Sequence, residues 1–321
     1  MAGAPNPRPP RVLVVGTGAL ACLFGGRLAR FGGAEVTLTG TWREAMDAIR
    51  AHGVRVEDAA GVWAARFGTA SLHAPPPDAD LVLVLVKSPR TAAVAGTVAR
   101  ALAPDGHAVT LQNGLGNREI LERAGVLRLG TGVVTLGATL LAPGHVRATP
   151  GSITLGIPRP VPDGMRLAAG LLARAGFEVA LAEDIDGLLW RKLVVNCAIN
   201  PLTALLGCPN GRLIADHEQR DTLIRAAREV ATVARAKGIE LGADPAELAL
   251  AVAQQTAANH SSMLQDLRRG VPTEIDAMSG AVVREARRLG VPVPVNASLW
   301  LRVLDRERAA QAASRAAVLE A

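Results

Sequence analysis

The chain has 321 residues, 49% of them hydrophobic and 20% charged, a globular composition that excludes disordered and fibrous classes. Single cores stop growing at about 250 to 300 residues, so two domains are expected. No stretch reaches the roughly 20 apolar residues of a membrane-spanning helix, and the net charge of +6 comes from basic residues spread singly, with only 2% aromatics to interleave them, so neither membrane nor nucleic acid is an expected partner.

The three cysteines, Cys22, Cys197 and Cys208, form no CxxC pair, which fits a reduced, cytoplasmic protein without a thiolate metal site. Charge is carried almost wholly by arginine: the only lysines among 35 basic residues are Lys87, Lys192 and Lys237. A lysine kept under such a bias is a candidate for ammonium chemistry, a compact donor with a tunable pKa.

Residues 1–10 hold four prolines and read as a loose tail. Arg11–Val15 then forms a short apolar run closed by Gly16, followed by a helical pattern over Ala19–Phe31 and a second strand over Ala34–Thr39. The basic start and the Ala19-Leu20-Ala21-Cys22 run superficially match a secretory leader, but Gly16, Gly18, Gly25 and Gly26 favour a turn and a packed helix. Further on, Leu81–Val86 and Ala108–Leu111 are continuous aliphatic runs, as in strands buried on both faces of a parallel sheet, and they alternate with helical stretches at Trp42–Ala51 and Thr91–Leu102. The pattern predicts an α/β domain, a Rossmann-type doubly wound sheet, over residues 1–182.

From residue 183 to 321 strand-like runs vanish, and helices are expected over Asp184–Leu206, Asp216–Lys237, Thr273–Leu289 and from about Ala297 onward. This all-helical C-terminal domain is expected to carry substrate-binding and catalytic groups.

Gly16-Thr17-Gly18-Ala19-Leu20-Ala21 is the dinucleotide fingerprint with alanine in the third place, between a strand and a helix. Its glycines permit a tight turn and let a pyrophosphate approach amides at the helix N-terminus. No carboxylate follows the second strand until Glu44, which favours a 2′-phosphate and hence NADP, with Arg43 the candidate to pair with it. In the helix after residue 184, Lys192, Asn196 and Asn200 recur every fourth residue on an otherwise apolar surface. Asparagine is a poor helix former, so this stripe reads as hydrogen-bonding equipment for a small polar substrate. No metal-ligand cluster is evident in the sequence.

The fingerprint, Asp80–Lys87, Leu111-Gln112-Asn113-Gly114-Leu115-Gly116, Lys192–Thr203, Ser261–Asp266, Thr273–Asp276 and Pro292–Asn296 together resemble the ketopantoate reductase (2-dehydropantoate 2-reductase) family along nearly the whole chain. The resemblance implies NADPH-dependent reduction of a 2-oxo acid, in which the lysine matching Lys192 is the general acid. By the same matching, Asn196, Asn200, Asn210 and Ser262 bind substrate; Lys87 and Asn113 touch cofactor, Asn113 also lying near substrate; and Glu274 lies near both. Glu274 has a second reading as an acidic residue in the first turn of a helix begun by Pro272. The family's usual arginine soon after the second strand is replaced here by Gly40 or Thr41. Two alternatives stay open: a relative that reduces another 2-oxo acid, and an NADP-binding sensor without catalysis. The sequence leaves the oligomeric state open, a homodimer among the alternatives.

Overall fold

The computed structural model describes residues 8–319. The chain divides into two compact units, one formed by residues up to 112 together with 117–185, the other by 113–116 together with 186–321.

In chain order the first unit contains β1 (Arg11–Val15), α1 (Ala19–Arg27), β2 (Glu35–Thr39), α2 (Arg43–His52), β3 (Val54–Asp58), β4 (Gly61–Ala65), β5 (Gly68–Ala70) and β6 (Ala79–Val84). It continues with α3 (Thr91–Ala101), β7 (Leu102–Thr110), α4 (Asn117–Arg123), β8 (Leu129–Val134), β9 (Gly137–Ala142), β10 (His145–Thr149), β11 (Ser152–Gly156), α5 (Asp163–Arg174) and β12 (Glu178–Ala182). Eight strands form one sheet in the order β12-β11-β8-β7-β6-β1-β2-β5. Only the β8–β11 pairing is antiparallel. The order reverses direction on either side of β1, as in a doubly wound sheet.

Alternation along the central strands builds two cores. Val12 and Val14 of β1 and Leu81 and Leu83 of β6 pack on one face with Phe24 and Leu28. Leu13, Val15, Val82 and Val84 pack on the other with Val94 and Val98 of α3. Each such side chain contributes about 1.5 to 3 kcal/mol on burial, and burial on both faces explains why the strands read as unbroken aliphatic runs.

A second, four-stranded sheet, ordered β4-β3-β10-β9, lies outside the expected pattern. Its strands are short and come from segments far apart in sequence, β3 pairing parallel with β10; Val54, Val56 and Val146 turn into the core that also holds α1. Arg27 of α1 fixes this sheet through Asp58 at 2.9 Å, which also accepts from Trp63 Nε1 at 3.1 Å.

Several boundaries differ from expectation. Residues 1–7 of the expected tail lie outside the described residues, but Arg8 is held, both of its terminal nitrogens donating to Asp80 at 2.8 Å while the Arg11 amide donates to the same carboxylate at 2.7 Å. The first helix ends at Arg27 and gives way to a π-turn over Leu28–Gly32.

The second unit holds α6 (Ile185–Leu206, its first residue grouped with the first unit), α7 (Arg212–Ala215), α8 (His217–Ala236), α9 (Pro245–Gln255), α10 (Ser262–Arg268), α11 (Ala281–Leu289) and α12 (Pro294–Leu319). Its core is one apolar cluster running from Trp190 to Val303. The helix expected from Thr273 starts later, as a π-turn over Asp276–Gly280 that leads into α11. The last helix starts earlier than Ala297, because the Glu229 carboxylate of α8 accepts from the amides of Val295 and Asn296, each at 2.9 Å, and so satisfies its first turn.

Candidate active site

At the carboxyl end of β1 the chain turns through Gly16, whose φ is +142°. A Cβ there would lie 2.9 Å from the Leu85 carbonyl oxygen and 3.2 Å from the Ala21 Cβ, so glycine is required and the third fingerprint residue must be small. Thr17 and Ala21 are buried, while Gly18 is exposed and Ala19 and Leu20 half-buried. No side chain caps α1 at Gly18, and a Cβ added there would meet nothing within 4 Å. An open helix N-terminus with its leading amides uncapped by side chains fits a pyrophosphate.

Gly40 follows β2 beside this turn: a Cβ on it would sit 2.6 Å from Thr17 Cγ2. Thr39 is fully buried and its hydroxyl is spent on the Ala70 carbonyl at 3.0 Å. Thr41 and Arg43 are exposed. Arg43 opens α2, whose N-terminus likewise has no side-chain cap.

Lys87, half-buried, immediately precedes a short 3₁₀ turn, Ser88–Arg90. Behind it lies a buried polar network that sequence reasoning passed over. Gln112 Nε2 donates to the Val86 carbonyl at 2.9 Å and to Thr91 Oγ1 at 2.7 Å; Thr91 Oγ1 contacts Asn117 Oδ1 at 2.8 Å, and Asn117 Nδ2 donates to Ser88 Oγ at 3.2 Å. Such a network, satisfied member by member, rigidifies the ends of β6 and β7 where Lys87 and Asn113 leave the sheet.

In the helical unit, the stripe on α6 runs from half-buried Lys192 and Asn196 to buried Asn200. Desolvation lowers the Lys192 pKa to about 8, opposed by the negative charge of Glu274. Glu274 is buried, 4% exposed, and its Oε2 accepts from Asn113 Nδ2 at 3.1 Å. The 113–116 segment is held alongside by the Leu115 amide, which donates to the Ala277 carbonyl at 2.8 Å. Lys192, Glu274 and Asn113, brought from three distant stretches, therefore form one group. Glu274 lies two residues before the π-turn, and its carbonyl accepts from the Met278 amide at 3.1 Å, which places it at the start of this helical segment. π-Turns concentrate at functional sites because they displace side chains from the α-helical register.

Asn200 Nδ2 faces Met278 Sδ at 3.9 Å. Asn210 is buried and its Nδ2 donates to Thr256 Oγ1 at 2.8 Å, while its amide donates to the Asn259 carbonyl at 2.9 Å. This ties Asn210 to the segment that ends in Ser262. Ser262 is exposed at the first position of α10; its neighbour Ser261 is buried and caps that helix, accepting from the Leu264 amide at 3.1 Å. Among the described residues there is no group of three His, Cys, Asp or Glu side chains that could hold a metal ion, and no helix is long and apolar enough to cross a membrane.

A partly desolvated ammonium with a pKa lowered to about 8 and under the charge of a carboxylate, on a helix that also carries amides, is suited to giving a proton to a developing oxyanion. Comparisons with known proteins find matches in both units. Residues 12–160 match the model of "Ketopantoate reductase PanE/ApbA" and residues 184–307 that of its C-terminal domain. The 2-dehydropantoate 2-reductase of Halobacterium salinarum is 39% identical over 290 residues, covering 89% of this chain and 95% of that one. A ketopantoate reductase structure from Ralstonia eutropha JMP134 superposes with a TM-score of 0.85 at 33% identity, covering 94% of this chain and 99% of the other. D-mandelate dehydrogenase with NADH and anilino(oxo)acetate shares the fold, with a TM-score of 0.86 at 24% identity, covering 94% of this chain and 99% of the other. On this evidence the chain belongs to the ketopantoate reductase family of pyridine-nucleotide oxidoreductases.

Proposed function

We infer that this chain reduces 2-dehydropantoate to (R)-pantoate with NADPH. The observation that carries this reading is the placement of Lys192 on the helix that also bears Asn196 and Asn200, where the charge of the Glu274 carboxylate acts on it.

The open N-terminus of α1 accepts the pyrophosphate through the amides that follow Gly18, and Arg43 supplies a planar fork for the 2′-phosphate. Lys87 adds a cation on the cofactor side. Bound there, NADPH supplies a hydride for the C2 carbonyl carbon. Lys192 gives its proton to the carbonyl oxygen as the alcohol forms, becomes a neutral amine, and takes a proton from water before the next turnover. A general acid with a pKa near the working pH contributes about 10² to 10⁴ in rate. Asn196, Asn200, Asn210 and Ser262 together bind the substrate's hydroxyl and carboxylate. Asn113, fixed by Glu274, steadies substrate against cofactor.

A panel assay at the nicotinamide absorbance band tests the reading: 2-dehydropantoate and other 2-oxo acids, each with NADPH and NADH. The highest kcat/KM is expected for 2-dehydropantoate with NADPH. Turnover confined to the other substrates would support a reductase of another 2-oxo acid. No turnover on any of them would return the chain to a cofactor-binding sensor.

A further inference from the structure

Two hydroxyls outside the polar stripe connect it to the far end of the proposed substrate set. Thr203, fully buried on α6, places its Oγ1 2.7 Å from Ser261 Oγ, and within 3.0 and 3.1 Å of the carbonyls of Ile199 and Asn200. Ser261 Oγ in turn accepts from the Leu264 amide at 3.1 Å and so caps α10, whose first residue is Ser262. The backbone of Asn200 and the backbone leading into Ser262 are thus joined through a single pair of buried side-chain oxygens.

We propose that Thr203 is a positioning residue that sets the Ser262 hydroxyl relative to Asn200 by holding the Ser261 cap. The inference rests on the substrate contact assigned to Ser262 above. A buried hydroxyl pair has no water to replace a lost partner, so removing Thr203 Oγ1 leaves Ser261 short of a bond and frees the start of α10. The other end of α10 keeps its own tie, Arg268 donating to the Gly207 carbonyl at 3.1 Å, and Met263, Leu264 and Leu267 stay in the core. The helix therefore remains docked while its first turn loosens, and the loss falls on substrate binding more than on the chemical step.

The test is steady-state kinetics on full-length Thr203→Val, Thr203→Ser, Ser262→Ala and the Thr203→Val/Ser262→Ala double variant. Thr203→Val is expected to raise KM for 2-dehydropantoate about 3- to 10-fold, with kcat within about twofold, KM for NADPH unchanged, and recovery in Thr203→Ser. The double variant should be no worse than Ser262→Ala, since a contact already removed cannot be mispositioned. A raised KM in Ser262→Ala beside an unchanged KM in Thr203→Val overturns the positioning role alone, as do fully additive effects or equal losses in KM and kcat. An unchanged KM in Ser262→Ala overturns the substrate contact itself and the positioning with it. Ser261→Ala cuts the same link from the other side and carries the same expectation should Thr203→Val fail to fold.

Discussion

Glu274 Oε2 accepts a hydrogen bond from Asn113 Nδ2 at 3.1 Å across 161 residues of chain, and the same carboxylate raises the pKa of Lys192 against the desolvation that lowers it to about 8. One buried acid thus bonds a neutral donor and favours the protonated form of a cationic one. Both effects can be separated, because glutamine keeps an acceptor for Asn113 and removes only the charge.

Glu274→Gln is therefore expected to move the alkaline limb of the kcat/KM profile to lower pH. Without the neighbouring negative charge, burial acts on Lys192 unopposed and its pKa falls below about 8. Activity near pH 6 should be retained better than activity near pH 8. An unshifted limb would separate Glu274 from the proton donor.

Arg43→Ala should weaken NADPH far more than NADH. Arg43 is exposed at the uncapped start of α2, and a bidentate phosphate pair is among the stronger charge-assisted contacts. Fluorescence titration with both cofactors measures it. Equal small losses would move 2′-phosphate recognition elsewhere, though not to the Thr39 hydroxyl, which is already bonded to Ala70.

Gly40→Ala should weaken both cofactors, because the new Cβ falls 2.6 Å from Thr17 Cγ2 in the phosphate turn. Thr17→Ala removes the opposing atoms, so cofactor affinity should recover in the double variant. Affinity that stays low in the double variant would assign the loss to something other than this collision.

Local pattern made much of this legible. The fingerprint, the aliphatic strands and the four-residue recurrence of Lys192, Asn196 and Asn200 lie within single elements, where side-chain period reports structure directly. The small sheet was not legible, since β3 meets β10 only through a pairing some ninety residues apart along the chain and its strands bury few of their side chains. Ser261 and Ser262 are adjacent and identical in type, and only the fold decides which is buried as a cap and which is exposed. The bonds from Thr203 to Ser261, from Asn210 to Thr256 and from Gln112 to the Val86 carbonyl carry no local signal, because each joins residues remote in sequence.

Asn200→Ala is expected to cost about 1 to 3 kcal/mol in kcat/KM on 2-dehydropantoate by leaving a substrate hydroxyl unpaired. The penalty should nearly vanish for a 2-oxo acid of similar bulk without the 4-hydroxyl. A penalty of equal size on both substrates would assign Asn200 to packing against Met278, its contact at 3.9 Å.

Proton delivery by Lys192 is read from the pH dependence of kcat/KM in wild type and Lys192→Arg. Only protonated Lys192 is competent, so wild-type kcat/KM should fall as pH rises through about 8. Over the same window folding stability should increase, because the unfolded chain still binds the proton that the folded lysine has released. Lys192→Arg should lose about a hundredfold or more in kcat at all pH values while NADPH binding persists, since guanidinium does not give up its proton. A wild-type profile flat from pH 7 to 10, or an arginine variant with near wild-type turnover, would rule Lys192 out as the proton donor.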